Sequence, residues 1–137
     1  MEEKKIFVVI SFGGEWEEKY EKVECAFTSK EAADKYIKEN TKLHDKISDD
    51  DYYKIQEFVA PIEYDIQCKY YDPTTGELYE GKTDDEWNKE YDSFEKEGKY
   101  KLIEEKFGFT KEDVERKETD IMYDFVGYTC NEINLYD

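Results

Sequence analysis

Apolar and polar positions alternate with a period of two at the start of the chain and then change to a helical period. In residues 4–12, Ile6, Val8, Ile10 and Phe12 fall on one side, while Phe7 and Val9 make the other side apolar as well. A strand apolar on both faces belongs inside a sheet. A second strand is predicted over 20–27, with Val23, Cys25 and Phe27 inward and Lys22 and Glu24 outward. The polar stretch from Gly13 to Glu18 joins the two as an antiparallel hairpin with a long loop. Thr28-Ser29-Lys30-Glu31 then reads as a capping box with Thr28 as N-cap. It opens a helix whose stripe is Ala32, Ala33, Tyr36 and Ile37 and which ends near Asn40.

Residues 48–64 fit two patterns. A helix capped by Ser48-Asp49-Asp50-Asp51 would present Tyr52, Ile55, Val59 and Ile62 on one face. A strand over 52–60, ending before Pro61, agrees better with the β-branched and aromatic content and is the expectation here. Residues 62–82 read as a hairpin with arms Ile66 to Tyr71 and Glu77 to Gly81, turning at Asp72-Pro73-Thr74-Thr75-Gly76. Thr83-Asp84-Asp85-Glu86 caps a helix with Trp87, Tyr91 and Phe94 as its buried stripe. Another helix spans Lys99 to Lys106 and stops at Gly108. A short one starts at Thr110, with Asp113 three residues on, and 121–130 closes the chain as a strand. The predicted fold is α+β in one domain: an antiparallel sheet with a ββαβ N-terminal unit, a hairpin, two or three C-terminal helices and a closing strand. Any sub-boundary is expected near 61–66.

Composition narrows the partners. The 137 residues hold 37 acids and 20 Lys and Arg, giving a formal net charge of −17. Thirteen Tyr, eight Phe and two Trp argue against disorder despite the 42% of charged residues. A surface so acidic disfavours nucleic acid and anionic membranes, and Arg116 is the single guanidinium. There is no apolar run near the roughly 20 residues that span a bilayer, and no signal peptide is visible. Cys25, Cys68 and Cys130 are odd in number and widely spaced, as expected of thiols in a reducing cytoplasm.

Candidate chemistry is thin. The one histidine, His44, lies beside a predicted helix end and reads as a surface residue. Zinc spacing is missing, and neither Asp49-Asp50-Asp51 nor the Asp72 turn has the ligand order of an EF-hand loop. No cofactor or metal is expected, and no catalytic residue is assigned. The acids, by contrast, are ordered. Glu86, Glu90 and Glu97, with Asp85 beside them, share one helical face, and Glu112, Glu115 and Glu118 share another. Such side chains stand about 5–6 Å apart, comparable with the roughly 6–7 Å between successive phosphates of a DNA strand. Trp16 and the many tyrosines supply apolar anchors of the kind enriched at interfaces.

The run from Lys5 to Ile10, the strand Val23 to Phe27 and the segment Phe27 to Ile37 resemble small ββαβ proteins of phages and mobile elements of AT-rich bacteria. The likeness covers about half the chain. In size and acidity the whole chain is similar to anti-restriction and anti-CRISPR inhibitors, some of them DNA mimics. Together with the net charge of −17, the ordered acidic faces, the excess of tyrosine and the lack of a catalytic constellation, that resemblance leads to the expectation of a non-enzymatic protein that fills the basic nucleic-acid groove of a CRISPR effector or restriction enzyme in the host cytoplasm. No functional residues are carried over from that resemblance; the site expected from the ordered acidic faces and the aromatic anchor comprises Asp85, Glu86, Glu90, Glu97, Glu112, Glu115, Glu118 and Trp16. An immunity protein against a basic toxin nuclease is the alternative. A small hydrolase is a third reading, and it requires a concave pocket with a shifted acid or His44 inside it.

Overall fold

The computed structural model describes residues 3–136 and is α+β, as the pattern predicts. Its elements are strand β1 (Glu3–Gly13), strand β2 (Tyr20–Phe27), helix α1 (Lys30–His44), helix α2 (Asp49–Cys68), helix α3 (Asp84–Ser93), helix α4 (Lys99–Phe107), helix α5 (Lys111–Met122) and strand β3 (Phe125–Tyr136). A five-residue π-helical turn, Phe94–Gly98, joins α3 to α4. The chain forms two compact units. Unit one holds the described residues through Lys46 and those from Glu115 onward, and unit two is Ile47–Val114. The sub-boundary expected near 61–66 falls instead inside α2, which runs unbroken past it.

Unit one is a three-stranded antiparallel sheet in the order β2-β1-β3, with β1 central as its two apolar faces require. Helix α1 packs on the face that carries Phe7 and Val9, and the Tyr36 ring lies 5.6 Å from that of Phe27. Val9 and Ala33 are fully buried there. The cap of α1 is Ser29, one residue later than expected, and its hydroxyl accepts from the Ala32 N–H at 3.2 Å. The closing strand begins at Phe125 because α5 continues through Met122, and Asp124 then turns the chain with φ of 51°.

Two β-bulges interrupt the ladders, one on each side of β1. Val9 pairs with Cys25 but Ile10 pairs with Val23, so Glu24 is an extra residue in β2. Phe12 pairs with Gly127 but Gly13 with Phe125, so Val126 is an extra residue in β3. Each bulge reverses the in–out alternation beyond it. Val23 is therefore 65% exposed, while Lys22 and Glu24 turn to the α1 side, the opposite of the expectation from strict alternation.

Unit two has its own core of Ile47, Ile55, Val59, Ile66, Phe94, Tyr100, Ile103 and Val114. Residues 52–60 lie inside α2, which overturns the strand expected there. Ser48 accepts from the Asp51 N–H at 3.1 Å, and Asp49, Asp50 and Asp51 complement the helix dipole in the first turn. The three-and-four spacing of Ile55, Val59, Ile62 and Ile66 buries one stripe, which outweighs the β propensity of individual residues. Pro61 is accommodated inside α2, although it has no N–H for the carbonyl one turn back. The expected hairpin shrinks to one bridge, Tyr71 with Leu78, because α2 takes Ile66 to Cys68. Its turn is as predicted: the Thr74 N–H donates to Asp72 Oδ1 at 2.8 Å, and Gly76 adopts φ of 74°. Thr83 caps α3 through the Glu86 N–H. Thr110 and Asp113 cap α5 reciprocally, at 3.3 and 3.1 Å.

Gly13 and Gly14 let the β1–β2 loop meet the α5–β3 connection. The Gly14 N–H donates to the Asp124 carbonyl at 3.0 Å, and a Cβ on Gly14 would lie 2.3 Å from the Glu18 carbonyl oxygen, at φ of +82°. Gly76 has a similar φ of +74° with open space around it. Gly14→Ala should therefore cost about 2–3 kcal/mol, against about 1 kcal/mol for Gly76→Ala. Urea unfolding of the two variants measures the difference, and equal losses would contradict the role given to the loop.

Candidate functional site

Unit one contains a cavity of about 630 Å³. The two bulges decide what lines it. The β2 bulge brings Tyr20, Lys22 and Glu24 to its wall, and the β3 bulge brings Phe125 to the same side as Tyr128. From the central strand, buried Ser11 donates to Glu24 Oε1 at 2.7 Å. The last turn of α1 contributes His44 and the end of α5 contributes Asp120.

His44 is held on three sides. Its Nδ1 lies 2.7 Å from Asp120 Oδ2, its Nε2 lies 2.6 Å from the Tyr128 hydroxyl, and its ring stacks on Phe125 with centroids 4.1 Å apart. An ionised carboxylate only accepts, so Nδ1 carries a proton. The Tyr128 hydroxyl then donates to Nε2 when the imidazole is neutral. Burial, followed by Tyr36 and then by the negative charges of Glu24 and Asp120, pushes the Tyr128 phenol up to about 12, so it stays protonated at neutral pH. Burial and then Asp120, Asp124 and Glu24 also raise Tyr20. Glu18, Glu24 and Asp120 against Lys22 leave the lining with an excess of negative charge. His44, read from sequence as a surface residue, has its side chain only 17% exposed. Its partners lie 76 and 84 residues away, and no local motif announces them.

The acids expected to form a site lie elsewhere and are spread over separate elements. Asp85 and Glu86 are exposed on the first turns of α3, and among the described residues neither makes a side-chain ion pair or hydrogen bond. Glu90 is already engaged, with Lys69 Nζ and the Tyr70 hydroxyl each donating to it at 2.6 Å, and these bonds hold its carboxyl below the ordinary range. Glu97 is exposed on the π turn, whose wider winding departs from the regular helical face expected for it with Glu86 and Glu90. On α5, Glu112 and Glu115 are exposed and Glu118 is half-buried. Trp16, in the β1–β2 loop, is 88% exposed at φ of 55°, a rare conformation for a bulky residue. Among the described residues no group of three or more His, Cys, Asp or Glu is arranged to hold a metal ion, and no helix is long and apolar enough to cross a membrane. Comparison with protein-family models, curated proteins and solved structures finds no match.

A second titratable cluster lies in unit two. Burial, a hydrogen bond to Glu95 and that neighbour's charge raise Glu63 to about 7. Burial pushes Glu95 up as well, but bonds from Glu63 and from Lys99, at 2.8 Å, outweigh it and hold Glu95 low. Two ionised carboxylates can only accept, so the hydrogen bond between them requires a proton on one, and the raised group, Glu63, is its donor. Because the folded pKa of Glu63 exceeds its ordinary 4.5, Glu63 contributes stability that is full below about 4.5 and is lost as pH rises towards about 7. Glu95, held low, contributes in the opposite sense and loses its share only as pH falls below the ordinary carboxylate range. Glu63→Gln keeps the donor without titrating. The fall in stability between pH 5 and pH 8, measured by urea unfolding, should therefore be smaller in the variant than in the parent. An equal fall in both would exclude the shared proton.

Proposed function

We propose that the protein is a non-enzymatic acidic inhibitor of a host defence nuclease, of the CRISPR-effector or restriction type, acting in a bacterial cytoplasm. It binds the basic groove that the nuclease uses for nucleic acid. The observation that carries this reading is the set of exposed carboxylates, Asp85, Glu86, Glu97 and Glu112, that the fold leaves without ion pairs among the described residues of a chain at −17. Maintaining such unneutralised charge costs stability through self-repulsion, and a basic partner would relieve it. These four carboxylates put that field on α3, the π turn and the first turn of α5. The exposed Trp16 is suited to act as an apolar anchor in a separate contact.

A second reading, a small hydrolase, is favoured by one observation, the presence of His44 inside a cavity. The hydrogen bonds weaken it. Ser11 donates to Glu24, and the two imidazole nitrogens are taken by Asp120 and Tyr128, so neither histidine nitrogen meets a serine or cysteine nucleophile.

Electrostatic steering acts mainly on association rate. The test uses surface plasmon resonance against a purified panel of CRISPR effectors, restriction enzymes and toxin nucleases over a range of salt. Binding should weaken as salt rises. Replacement of Asp85, Glu86, Glu97 and Glu112 by Lys together should slow association about tenfold or more and flatten its salt dependence. Tight binding to a toxin nuclease alone would favour the immunity role, and unchanged association would remove these acids from the interface.

A further inference from the structure

Aromatic rings supply much of the wall of the unit-one cavity: Tyr20, Tyr123, Phe125 and Tyr128 line it beside His44. Its charged groups are Glu18, Glu24 and Asp120 against one lysine, Lys22. We propose that this cavity is a binding site for a small organic cation, an alkylammonium or guanidinium group. The inference stands apart from the reading of the acidic helices, since it concerns different residues.

Three features select that chemistry. Carboxylates outnumber the lysine, so the cavity repels anions and attracts cations. The two engaged acids each use one oxygen within the protein, Asp120 Oδ2 with His44 and Glu24 Oε1 with Ser11. Their second oxygens keep acceptor capacity for N–H donors. The rings add faces of negative quadrupole, which favour an organic cation over a neutral ligand of the same shape. They are braced in edge-to-face pairs, Tyr20 with Tyr123 at 6.5 Å and Phe125 with Tyr128 at 5.3 Å, so little ordering is required on binding. The volume, about 630 Å³, is within the range of small-molecule sites.

An alkylammonium or guanidinium can arrive as a free amine or as a Lys or Arg side chain, and the experiment separates these sources. Aromatic carbon-13 spectra of the full chain are titrated with 1,4-diaminobutane and with a capped lysine, using 1,4-butanediol and succinate as neutral and anionic controls. The cations should give saturable shifts at Tyr20, Tyr123 and Tyr128, and the controls none. Tighter binding of the diamine assigns a free amine; equal or tighter binding of the capped lysine assigns a side chain. Glu18 and Tyr123 are exposed, so Glu18→Gln and Tyr123→Ala leave the fold intact. Each should weaken binding about fivefold. Cation binding that both variants leave unchanged overturns the site. So does succinate or butanediol binding as tightly as the diamine, or the lack of a saturable shift with any cation up to about 10 mM.

Discussion

The register of β1 against its two neighbours is the constraint on which unit one depends. A strand has a side-chain period of two, so one inserted residue exchanges its faces from that point on. The insertion of Glu24 in β2 and of Val126 in β3 does this on both sides of the same strand. Without the first, Val23 would face α1 and Lys22 and Glu24 would face away. Without the second, Phe125 would leave the stack with His44. The two irregularities therefore convert one end of an ordinary apolar sheet face into a polar, aromatic-walled cavity. The other end, around Val9 and Ala33, keeps a dry core. Bulges near functional sites serve this purpose, re-aiming side chains that a regular ladder would misdirect.

Unit two obeys a different rule. Its chain segment, Ile47–Val114, leaves unit one after α1 and returns to it within α5. It has its own apolar cluster and so needs no strand of the sheet. The core is small, and aromatic rings extend it: Trp87 stacks on Tyr91 at 5.2 Å, and Phe58 meets Phe107 edge-on at 5.7 Å. This explains the high tyrosine and phenylalanine content better than a binding role for every ring does. Carboxylates are absorbed in the same way. Glu90 and Glu95 are tied to lysines and hydroxyls or to a neighbouring acid, so only part of the formal −17 faces solvent as free charge.

What the sequence disclosed was local, and what it withheld was non-local. The caps at Thr83 and Thr110, the stop at Gly108 and the Asp72–Gly76 turn each rest on residues within a few positions of one another, and each forms where the spacing places it. The strand pair 5–12 and 20–27 was legible from alternation, but its bulge was not, because register is decided by the partner strand. Residues 52–60 read as a strand because Tyr, Ile, Phe and Val have strand propensity individually. Only burial of the stripe through Ile55, Val59 and Ile66 makes the helix win. His44 was misjudged because Asp120 and Tyr128 are remote in the chain. The acidic faces were legible as composition, though Glu90 and Glu97 do not stand as the spacing implied.

Pairing across β1 is the most direct test of this account, because the position of every cavity side chain on the sheet follows from it. Nuclear Overhauser contacts between backbone protons should pair Val9 with Cys25 and Ile10 with Val23, leaving Glu24 unpaired, and should pair Phe12 with Gly127 and Gly13 with Phe125. Continuous pairing, with Ile10 opposite Glu24 or Gly13 opposite Val126, would contradict it.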